Sequence, residues 1–252
     1  MLKIKNLVVE DILQNINLTL KKGKITTIIG ANGSGKSTLA KCIANLIKYQ
    51  GTITYEEQEK FYVGYVFQNP EYQFVRNIVI DDLAFSLESL NLSRVKMLEE
   101  IEVIAKEFKI DKLLNKFVDE LSGGEKQKVA LVANLILKPK VLILDEAYEM
   151  IDEISKQEIK NILQKYVKEN KIICLQITHN QDIIEISDKI VVLDNKQLSF
   201  IGTKMEFYQQ KELLQKLSLE LPLYEQIRQE FGLSIKTRDE MDKLLCNLNL
   251  KM

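Results

Sequence analysis

Tryptophan is missing from this 252-residue sequence, and histidine, proline and cysteine are scarce. There are one histidine and three prolines, and the three cysteines, Cys42, Cys174 and Cys246, form no CxxC pair. An odd number of scattered cysteines indicates reduced thiols, as in a cytosolic protein. The longest apolar run, from Val129 to Leu137, contains Asn134. It is far shorter than the roughly 20 apolar residues of a membrane-spanning helix.

Neither sign of charge is in excess. The 35 Lys and Arg residues nearly balance the 36 Asp and Glu residues, for a formal net charge of −1. Such a chain has no global electrostatic attraction to nucleic acid or anionic lipid, and we predict no nucleic-acid partner. The first residues, MLKIKNLVVED, lack the apolar region and cleavage site of a signal peptide. A function at a membrane would therefore depend on a partner.

Apolar periodicity predicts an α/β organisation with a helical insertion. Residues 2–20 alternate as antiparallel strands do, and residues 25–30 form a short buried strand before a helix over 38–49. Residues 78–137 have helical periodicity. In the helix near 93–108, five apolar residues share one face: Val95, Leu98, Ile101, Ala105 and Phe108. Further strands are predicted at 51–66, 141–144, 172–177 and 190–193, and the chain is helical again from about Met205.

A complete phosphate-binding motif, G-x-x-x-x-G-K-[ST], occupies residues 30–38 between a predicted strand and a predicted helix. Glycines allow backbone N–H groups to converge on phosphate oxygens, and the helix N-terminus favours negative charge. Lys36 is expected to reach the β- and γ-phosphates, and Ser37 to bind Mg²⁺. The predicted nucleotide-binding residues are Gly30, Asn32, Gly33, Ser34, Gly35, Lys36, Ser37 and Thr38.

A second motif is the apolar strand VLIL followed by Asp145 and Glu146. Such a strand is common by itself, but beside a phosphate-binding loop it predicts a magnesium site. We expect Asp145 to hold Mg²⁺ through water, and Glu146 to act as the base or orienting group for an attacking water.

A third motif, LSGGEKQKVA at residues 121–130, predicts another anion site. Ser122 is a typical N-cap residue, and a helix is predicted from there through Leu137. The two glycines, Gly123 and Gly124, leave the first amides of that helix open.

LSGGEKQKVA resembles the signature motif of ATP-binding cassette (ABC) ATPases, and the resemblance extends over roughly residues 1–215. Within it, Gln68 resembles the Q-loop glutamine, Asp152 the D-loop aspartate and His179 the switch histidine. The resemblance implies the α/β P-loop NTPase fold of ABC ATPases. That fold has an antiparallel β subdomain, an inserted α-helical subdomain at about 78–137, and here a short C-terminal helical extension at 216–252.

The same resemblance implies ATP and Mg²⁺ as cofactors and a head-to-tail dimer. The signature residues Ser122, Gly123, Gly124 and Glu125 would then contact the nucleotide held by the partner. Within one chain, it implies that Glu146 polarises the attacking water and His179 stabilises charge near the γ-phosphate, with Lys36 on the phosphates. It also implies that Gln68 senses Mg²⁺ and water, so that Ser37, Gln68 and Asp145 are the predicted metal-binding residues.

The sequence departs from the family pattern at three places. Members usually carry an aromatic residue near the N-terminus that stacks on adenine, but the first aromatic residue here is Tyr49. Val8 or Val9 would offer an apolar wall instead. Where the family often has Pro-Thr after the catalytic acids, this chain has Ala147 and Tyr148. Tyr148 would lie at the dimer interface or pack beside the D-loop, and Glu125 replaces the commoner glutamine.

The segment FQNPEYQFV, followed by RNIVIDDLAFSLE, is similar to that in ATPases of energy-coupling factor (ECF) transporters. In the family this segment receives a coupling helix of a membrane subunit, and the acids Asp81 and Asp82 suit a basic side chain. The alternative is a solvated helix start with acids at its N-terminal end. The tail, with LPLYEQIRQEFG and the helix start near Thr237, is similar to an extension that joins two such ATPases. The alternative there is a cap on the domain's own core.

These resemblances predict the ATP-hydrolysing subunit of an ECF-type importer for a vitamin or metal micronutrient. The implied partners are a second ATPase (a copy or a paralogue), a transmembrane coupling subunit and a substrate-binding membrane subunit. The implied location is the cytoplasmic face of the cell membrane, as a peripheral protein. The alternatives are an ATPase of another ABC transporter class, a soluble ABC ATPase without a transporter, and an inactive regulatory cassette.

Overall fold

The computed structural model describes residues 1–56, 61–231 and Lys243. The N-terminal residues form a three-stranded antiparallel sheet in which β1 lies at the centre. Side chains of β1 alternate between buried and exposed over its first four residues, as expected for a sheet with one wet face. The strands are β1 (Leu2–Val9), β2 (Leu13–Leu20) and β4 (Gln50–Tyr55).

The second sheet has six strands in the order β5-β6-β7-β3-β8-β9, parallel except for the β8–β9 pair. Two of its inner strands, β6 and β7, are mainly apolar and are buried along their whole length, which is typical of a parallel sheet covered on both faces. The strands are β3 (Lys24–Ile29), β5 (Val63–Val66), β6 (Val141–Asp145), β7 (Ile173–Ile177), β8 (Lys189–Asp194) and β9 (Gln197–Gly202). The strands predicted at 25–30, 141–144, 172–177 and 190–193 are present as β3, β6, β7 and β8, and the predicted region 51–66 contributes β5.

Four neighbouring strands of this sheet end at the same edge because they run parallel. The chain continues from β5 into Gln68, from β7 into His179, and from β3 into the phosphate-binding loop. β6 ends at Asp145 itself. Ligand sites in open α/β sheets lie at this carboxyl edge. The topology thus places the predicted site residues together although they are far apart in sequence.

Within the described residues up to 203, the α-helices are α1 (Lys36–Ile43), α2 (Val79–Glu88), α3 (Arg94–Glu107), α4 (Gly123–Leu135), α5 (Glu153–Glu169) and α6 (Gln181–Ile184). The predicted helix over 38–49 is shorter at its C-terminal end than expected. Asn45 adopts a left-handed conformation with φ of 56°. The N–H of Leu46 then donates to the carbonyl of Lys41, 2.9 Å away, which closes the helix end.

The predicted apolar face of α3 is only partly buried. Ile101, Ala105 and Phe108 are buried, and the Phe108 ring lies 5.6 Å from that of Tyr166. Val95 and Leu98, on the same predicted face, are 68% and 37% exposed. An apolar face is buried only where another element covers it, and the core covers this one from Ile101 onwards.

The chain divides into two compact units, residues 1–204 and 205–252. The second unit contains most of α7 (Lys204–Tyr208), with α8 (Lys211–Lys216) and α9 (Leu223–Phe231). The predicted helix start near Thr237 lies outside the described residues. The boundary at 215, and the role of the extension in dimerisation, remain predictions. Within the described part of the chain, no helix has both the length and the apolarity needed to cross a membrane.

Ile143, at the centre of β6, is fully buried in the core cluster formed with the N-terminal sheet. We expect Ile143→Ala to lower the free energy of unfolding by about 3 kcal/mol, since it removes packed methyl groups and leaves a cavity. Val103→Ala, on the exposed face of α3, is the matched control and is expected to change it by less than about 0.5 kcal/mol. Urea unfolding monitored by circular dichroism measures both. Equal losses would contradict the assigned core.

Candidate nucleotide-binding and catalytic site

The phosphate-binding loop between β3 and α1 requires its glycines. Gly33 and Gly35 have φ values of 77° and 100°, in the region where other residues are strained. Gly30 has no space for a side chain, because a Cβ there would lie 2.2 Å from the carbonyl oxygen of Leu193. The three glycines therefore fix the path of the loop at the N-terminus of α1.

Lys36 folds back over this loop. Its Nζ donates to the carbonyl oxygens of Gly30 and Ala31, at 2.8 and 2.9 Å. Burial lowers the pKa of Lys36, and the carboxylates of Glu146 and Asp145 oppose that shift. Within the described residues, the Ser34 hydroxyl is buried without a hydrogen-bond partner. A cation and an unsatisfied hydroxyl on a glycine loop fit a polyphosphate.

Asp145 connects the loop with the edge of the sheet. The Ser37 hydroxyl donates to Asp145 Oδ1 at 2.9 Å, and the Tyr65 hydroxyl donates to Asp145 Oδ2 at 2.7 Å. Burial, and then the hydrogen bond to Asp145, raises the pKa of Tyr65. The sequence analysis missed Tyr65. Its position near the end of β5, directly beside β6, would have indicated it had the strand order been known.

The oxygens of Ser37 and Asp145 fit Mg²⁺, which prefers hard oxygen ligands. Among the residues that the structure describes, no group of three or more His, Cys, Asp or Glu side chains is arranged to hold a metal. A magnesium ion at Ser37 and Asp145 would take further oxygen ligands from phosphate and water, as is usual for nucleotide sites, and the Gln68 carbonyl oxygen is the third predicted side-chain ligand.

Glu146 lies at the end of β6 in a left-handed conformation with φ of 53°. Its N–H donates to the carbonyl of Ile177 at 3.0 Å, which anchors the turn to β7. Burial, and next the charge of Glu149, raises the pKa of Glu146, and Lys36 opposes the shift. A carboxylate with a raised pKa is a better proton acceptor, so its environment suits a general base.

His179 faces Glu146 across the edge of the sheet, with its Nε2 3.7 Å from Glu146 Oε1. Burial, and then the positive charge of Lys36, lowers the pKa of His179. The neutral imidazole is therefore favoured at neutral pH, which leaves one nitrogen as a donor and the other as an acceptor.

Gln68 follows β5 and is exposed. Its Nε2 donates to Glu149 Oε2 at 2.7 Å. The neighbouring backbone is held by two side chains: Gln127 donates to the carbonyl of Phe67 at 3.1 Å, and Gln73 Oε1 accepts from the N–H of Phe67 at 2.9 Å. The sequence analysis missed Glu149, because an acid four residues after Asp145 belongs to no motif.

The signature segment opens α4 with a capping box. Ser122 Oγ accepts from the N–H of Glu125 at 3.2 Å, and Glu125 Oε2 accepts from the N–H of Ser122 at 2.8 Å. The latter bond holds the pKa of Glu125 below its usual value. A Cβ on Gly124 would lie 3.3 Å from the carbonyl oxygen of Met150. The signature thus lies against the loop that leads to Asp152.

Asp152 uses its side chain within its own chain. It caps α5, with Oδ1 accepting from the N–H of Ser155 at 2.9 Å, and this bond lowers the pKa of Asp152. Tyr148 also lies in this loop, but its side chain is buried in the main core. Tyr148 therefore presents no ring at a dimer interface. Its predicted alternative, packing within the domain, agrees with this position.

The aliphatic side chains beside the phosphate-binding loop are those of Ile12 and Leu13. A Cβ on Gly35 would lie 2.8 Å from Leu13 Cδ2 and 3.2 Å from Ile12 Cγ2. Leu13 is buried, whereas the side chain of Ile12 is 39% exposed. Ile12, rather than Val8 or Val9, is thus the exposed apolar residue next to the loop. The sequence analysis missed it because the β1–β2 turn, and not strand periodicity, places it there.

Residues 67–75, FQNPEYQFV, are called the Gln68 segment. A groove of about 470 Å³ lies between this segment and α2 on one side and α4 on the other. Phe85 on its wall is 37% exposed, and the guanidinium of Arg76 lies 4.9 Å from its ring centre. The prediction that Asp82 faces a partner is wrong. Asp82 is 4% exposed, and its Oδ1 accepts from the N–H groups of Val75 and Arg76 at 2.8 and 3.0 Å. Asp81 is exposed.

Comparisons with known proteins agree with this geometry. A family model for ABC transporters matches residues 13–149. The energy-coupling factor transporter ATP-binding protein EcfA of Aster yellows witches'-broom phytoplasma is 36% identical over 273 aligned positions that cover 100% of both chains. EcfA1 of Mycoplasma capricolum is 35% identical over 246 residues, covering 92% of this chain and 60% of that protein.

A solved structure is also similar. It is cbiO1 from Clostridium perfringens, described as part of the ABC transporter complex cbiONQ. It matches with a TM-score of 0.76 and 29% identity, covering 90% of this chain and 98% of that one. The predicted ABC ATPase fold is confirmed.

The chain belongs to the ABC transporter family. Within that family it groups with the energy-coupling factor transporter ATP-binding proteins, since such relatives are 34% and 36% identical and are covered over 92% and 100% of their length. The chain spans 60% of the length of the two Mycoplasma relatives, so these are the longer proteins.

In the nucleotide-free protein, we expect Glu146→Gln to raise the thermal unfolding temperature by about 2 °C at pH 8. Because burial and Glu149 raise the pKa of Glu146, its ionised form opposes folding. This cost is absent below the unfolded-state pKa, about 4.3, and grows as the pH rises through the higher folded-state pKa. The gain should therefore disappear towards pH 4. Scanning calorimetry across this range measures it, and a gain that does not depend on pH would contradict the assignment.

Proposed function

We propose that this chain is the ATP-hydrolysing subunit of an ECF-type importer, which couples ATP binding and hydrolysis to uptake of a vitamin or metal micronutrient. One observation carries the proposal. The phosphate-binding loop, the Ser37–Asp145 pair, Glu146 and the groove-forming Gln68 segment meet at one edge of one sheet. The chain leaves β5 through Gln68 at the nucleotide edge and reaches the groove at Gln73, Phe74 and Val75, so one short segment connects the proposed docking surface with the nucleotide site.

In the proposed reaction, Lys36 binds the β- and γ-phosphates, releasing its bonds to the carbonyls of Gly30 and Ala31. Ser37 and Asp145 would hold Mg²⁺, whose charge would offset that of the phosphates. Glu146 accepts a proton from the attacking water, and its raised pKa favours that step. His179, as a neutral imidazole, donates to the charge that develops near the γ-phosphate. These roles describe positioning and electrostatics rather than covalent chemistry.

The proposed partners follow from two surfaces. The exposed start of α4 presents the amides of Gly123 and Gly124, which follow the capping residue Ser122, to the nucleotide of a second ATPase, a copy or a paralogue. The groove beside Phe85 receives a helix of a transmembrane coupling subunit, and a further membrane subunit binds the substrate. The chain would then be a peripheral protein at the cytoplasmic face of the membrane. The description of cbiO1 as part of a larger transporter complex supports this assignment.

The hydrolysis reaction is tested with Glu146→Gln. We expect the rate of phosphate release from Mg·ATP to fall at least about 100-fold, because the general base is removed while the shape of the side chain is kept. Glu158→Gln makes the same change on the surface, where Glu158 pairs with Lys109 at 3.0 Å, and should hydrolyse ATP at the wild-type rate. A wild-type rate in Glu146→Gln would contradict the role of Glu146.

The coupling role is tested with Phe85→Asp, which places a charge in the apolar wall of the groove. We expect the membrane subunits to be lost when the chain is purified from its own cells in mild detergent and analysed by native mass spectrometry. The rate of ATP hydrolysis by the purified chain should stay close to the wild-type rate, because none of the described residues of the nucleotide site lines this groove. Val95→Asp, exposed on α3 away from the groove, is the control and should retain the subunits.

Recovery of the wild-type chain as a soluble dimer only, without membrane proteins, would overturn the transport assignment and leave the ATPase assignment intact.

A further inference from the structure

One contact at the site joins Gln68 to Glu149, a residue that belongs to none of the recognised motifs. The side-chain amide of Gln68 donates from Nε2 to Glu149 Oε2 at 2.7 Å. Gln68 follows β5 and Glu149 follows β6, so the contact joins the ends of two neighbouring strands. Of the residues that the structure describes, Glu149 is the one hydrogen-bond partner of the Gln68 side chain.

The chemistry of the two groups fixes the orientation of the amide. A glutamine amide has a donor end, NH₂, and an acceptor end, the carbonyl oxygen, and the two have nearly the same shape. An ionised carboxylate only accepts hydrogen bonds. The NH₂ end of Gln68 must therefore face Glu149, which leaves the carbonyl oxygen directed elsewhere. A hard cation binds that oxygen and is repelled by the NH₂ group.

Other contacts already hold the backbone on both sides of Gln68. Glu149 therefore restricts only the side-chain torsions of Gln68. Phe67, the preceding residue, is bound through its carbonyl by Gln127 at 3.1 Å and through its N–H by Gln73 at 2.9 Å. On the other side, Asn69 caps the next turn by accepting from the N–H of Glu71 at 3.0 Å. With both neighbours fixed, the remaining freedom of Gln68 lies in its side chain.

We propose that Glu149 is a positioning residue for Gln68, which holds the amide with its oxygen available to the magnesium site. This inference rests on the proposed function. Glu149 does not itself touch the cation in this scheme, and acts through the amide alone. A competing route exists, because Glu149 also lies close to Glu146 and its charge acts on that group. The two routes differ in whether they need the Gln68 side chain.

The test measures how binding of a non-hydrolysable ATP analogue to the full-length chain depends on Mg²⁺ concentration. In Glu149→Gln the new side chain both donates and accepts, so either end of the Gln68 amide satisfies it. We expect the Mg²⁺ concentration at half-saturation to rise about fivefold, as for the loss of one exposed charge-assisted hydrogen bond. Glu158→Gln, with the same change of charge at a distant site, should leave it unchanged.

The double variant separates the two routes. If Glu149 acts through the amide, Glu149→Gln has no further effect in a Gln68→Ala background. If the Mg²⁺ concentration at half-saturation still rises fivefold in that background, the inference is overturned. The effect would then come from the charge of Glu149 acting on Glu146. An unchanged half-saturation in Glu149→Gln alone would also overturn it.

Wild-type chain that binds the analogue without any dependence on Mg²⁺ would overturn the proposed function, and the inference with it. A wild-type chain that shows the dependence, together with an unaffected Glu149→Gln variant, would overturn the inference only. The experiment therefore distinguishes failure of the proposed function from failure of the inference about Glu149.

Discussion

The two hydroxyl hydrogen bonds to Asp145 hold three parts of the site in one arrangement. Ser37 brings the start of α1, Tyr65 brings the end of β5, and the carboxylate stands at the end of β6. Each oxygen of Asp145 is therefore occupied in the nucleotide-free chain. A carboxylate at the edge of a sheet with no such partners would turn towards solvent, whereas this one keeps one orientation. The positions of the neighbouring side chains, including Lys36 and Glu146, depend on this fixed carboxylate.

Much of this arrangement was predictable because the motifs are short and their spacing has a mechanical reason. The glycines of residues 30–35 identify the loop, since only glycine tolerates its backbone angles. Asp145 was predicted from an apolar strand that ends in an acid and accompanies a phosphate-binding loop. His179 was predicted from its resemblance to the switch histidine, which its place after another buried strand supports. The parallel topology then brought the strand ends together.

The misses and errors have a common cause, which is that they depend on contacts between distant segments. Tyr65 and Glu149 gain their roles only from the neighbouring strand or loop, which periodicity along one segment does not reveal. Asp82 was predicted to face a basic side chain of a partner, because an acid at a helix start is usually accessible. The chain preceding α2 turns back, and its amides take up the carboxylate. Val95 is an example among apolar residues. Helical periodicity identifies the apolar face of α3 but does not show which part of that face other elements bury.

The helix α4 joins the two surfaces that are proposed to face different molecules. Its N-terminus is the signature segment, while its first turns hold the Gln68 segment through Lys126, 2.8 Å from Glu71, and through Gln127. Asn134 near its other end accepts from the N–H of Tyr65 at 2.9 Å. A helix of 13 residues is about 20 Å long and is stiff over that distance. If the signature end is displaced in the proposed dimer, a helix of this stiffness would carry the displacement to the groove without any change in the folding of the domain.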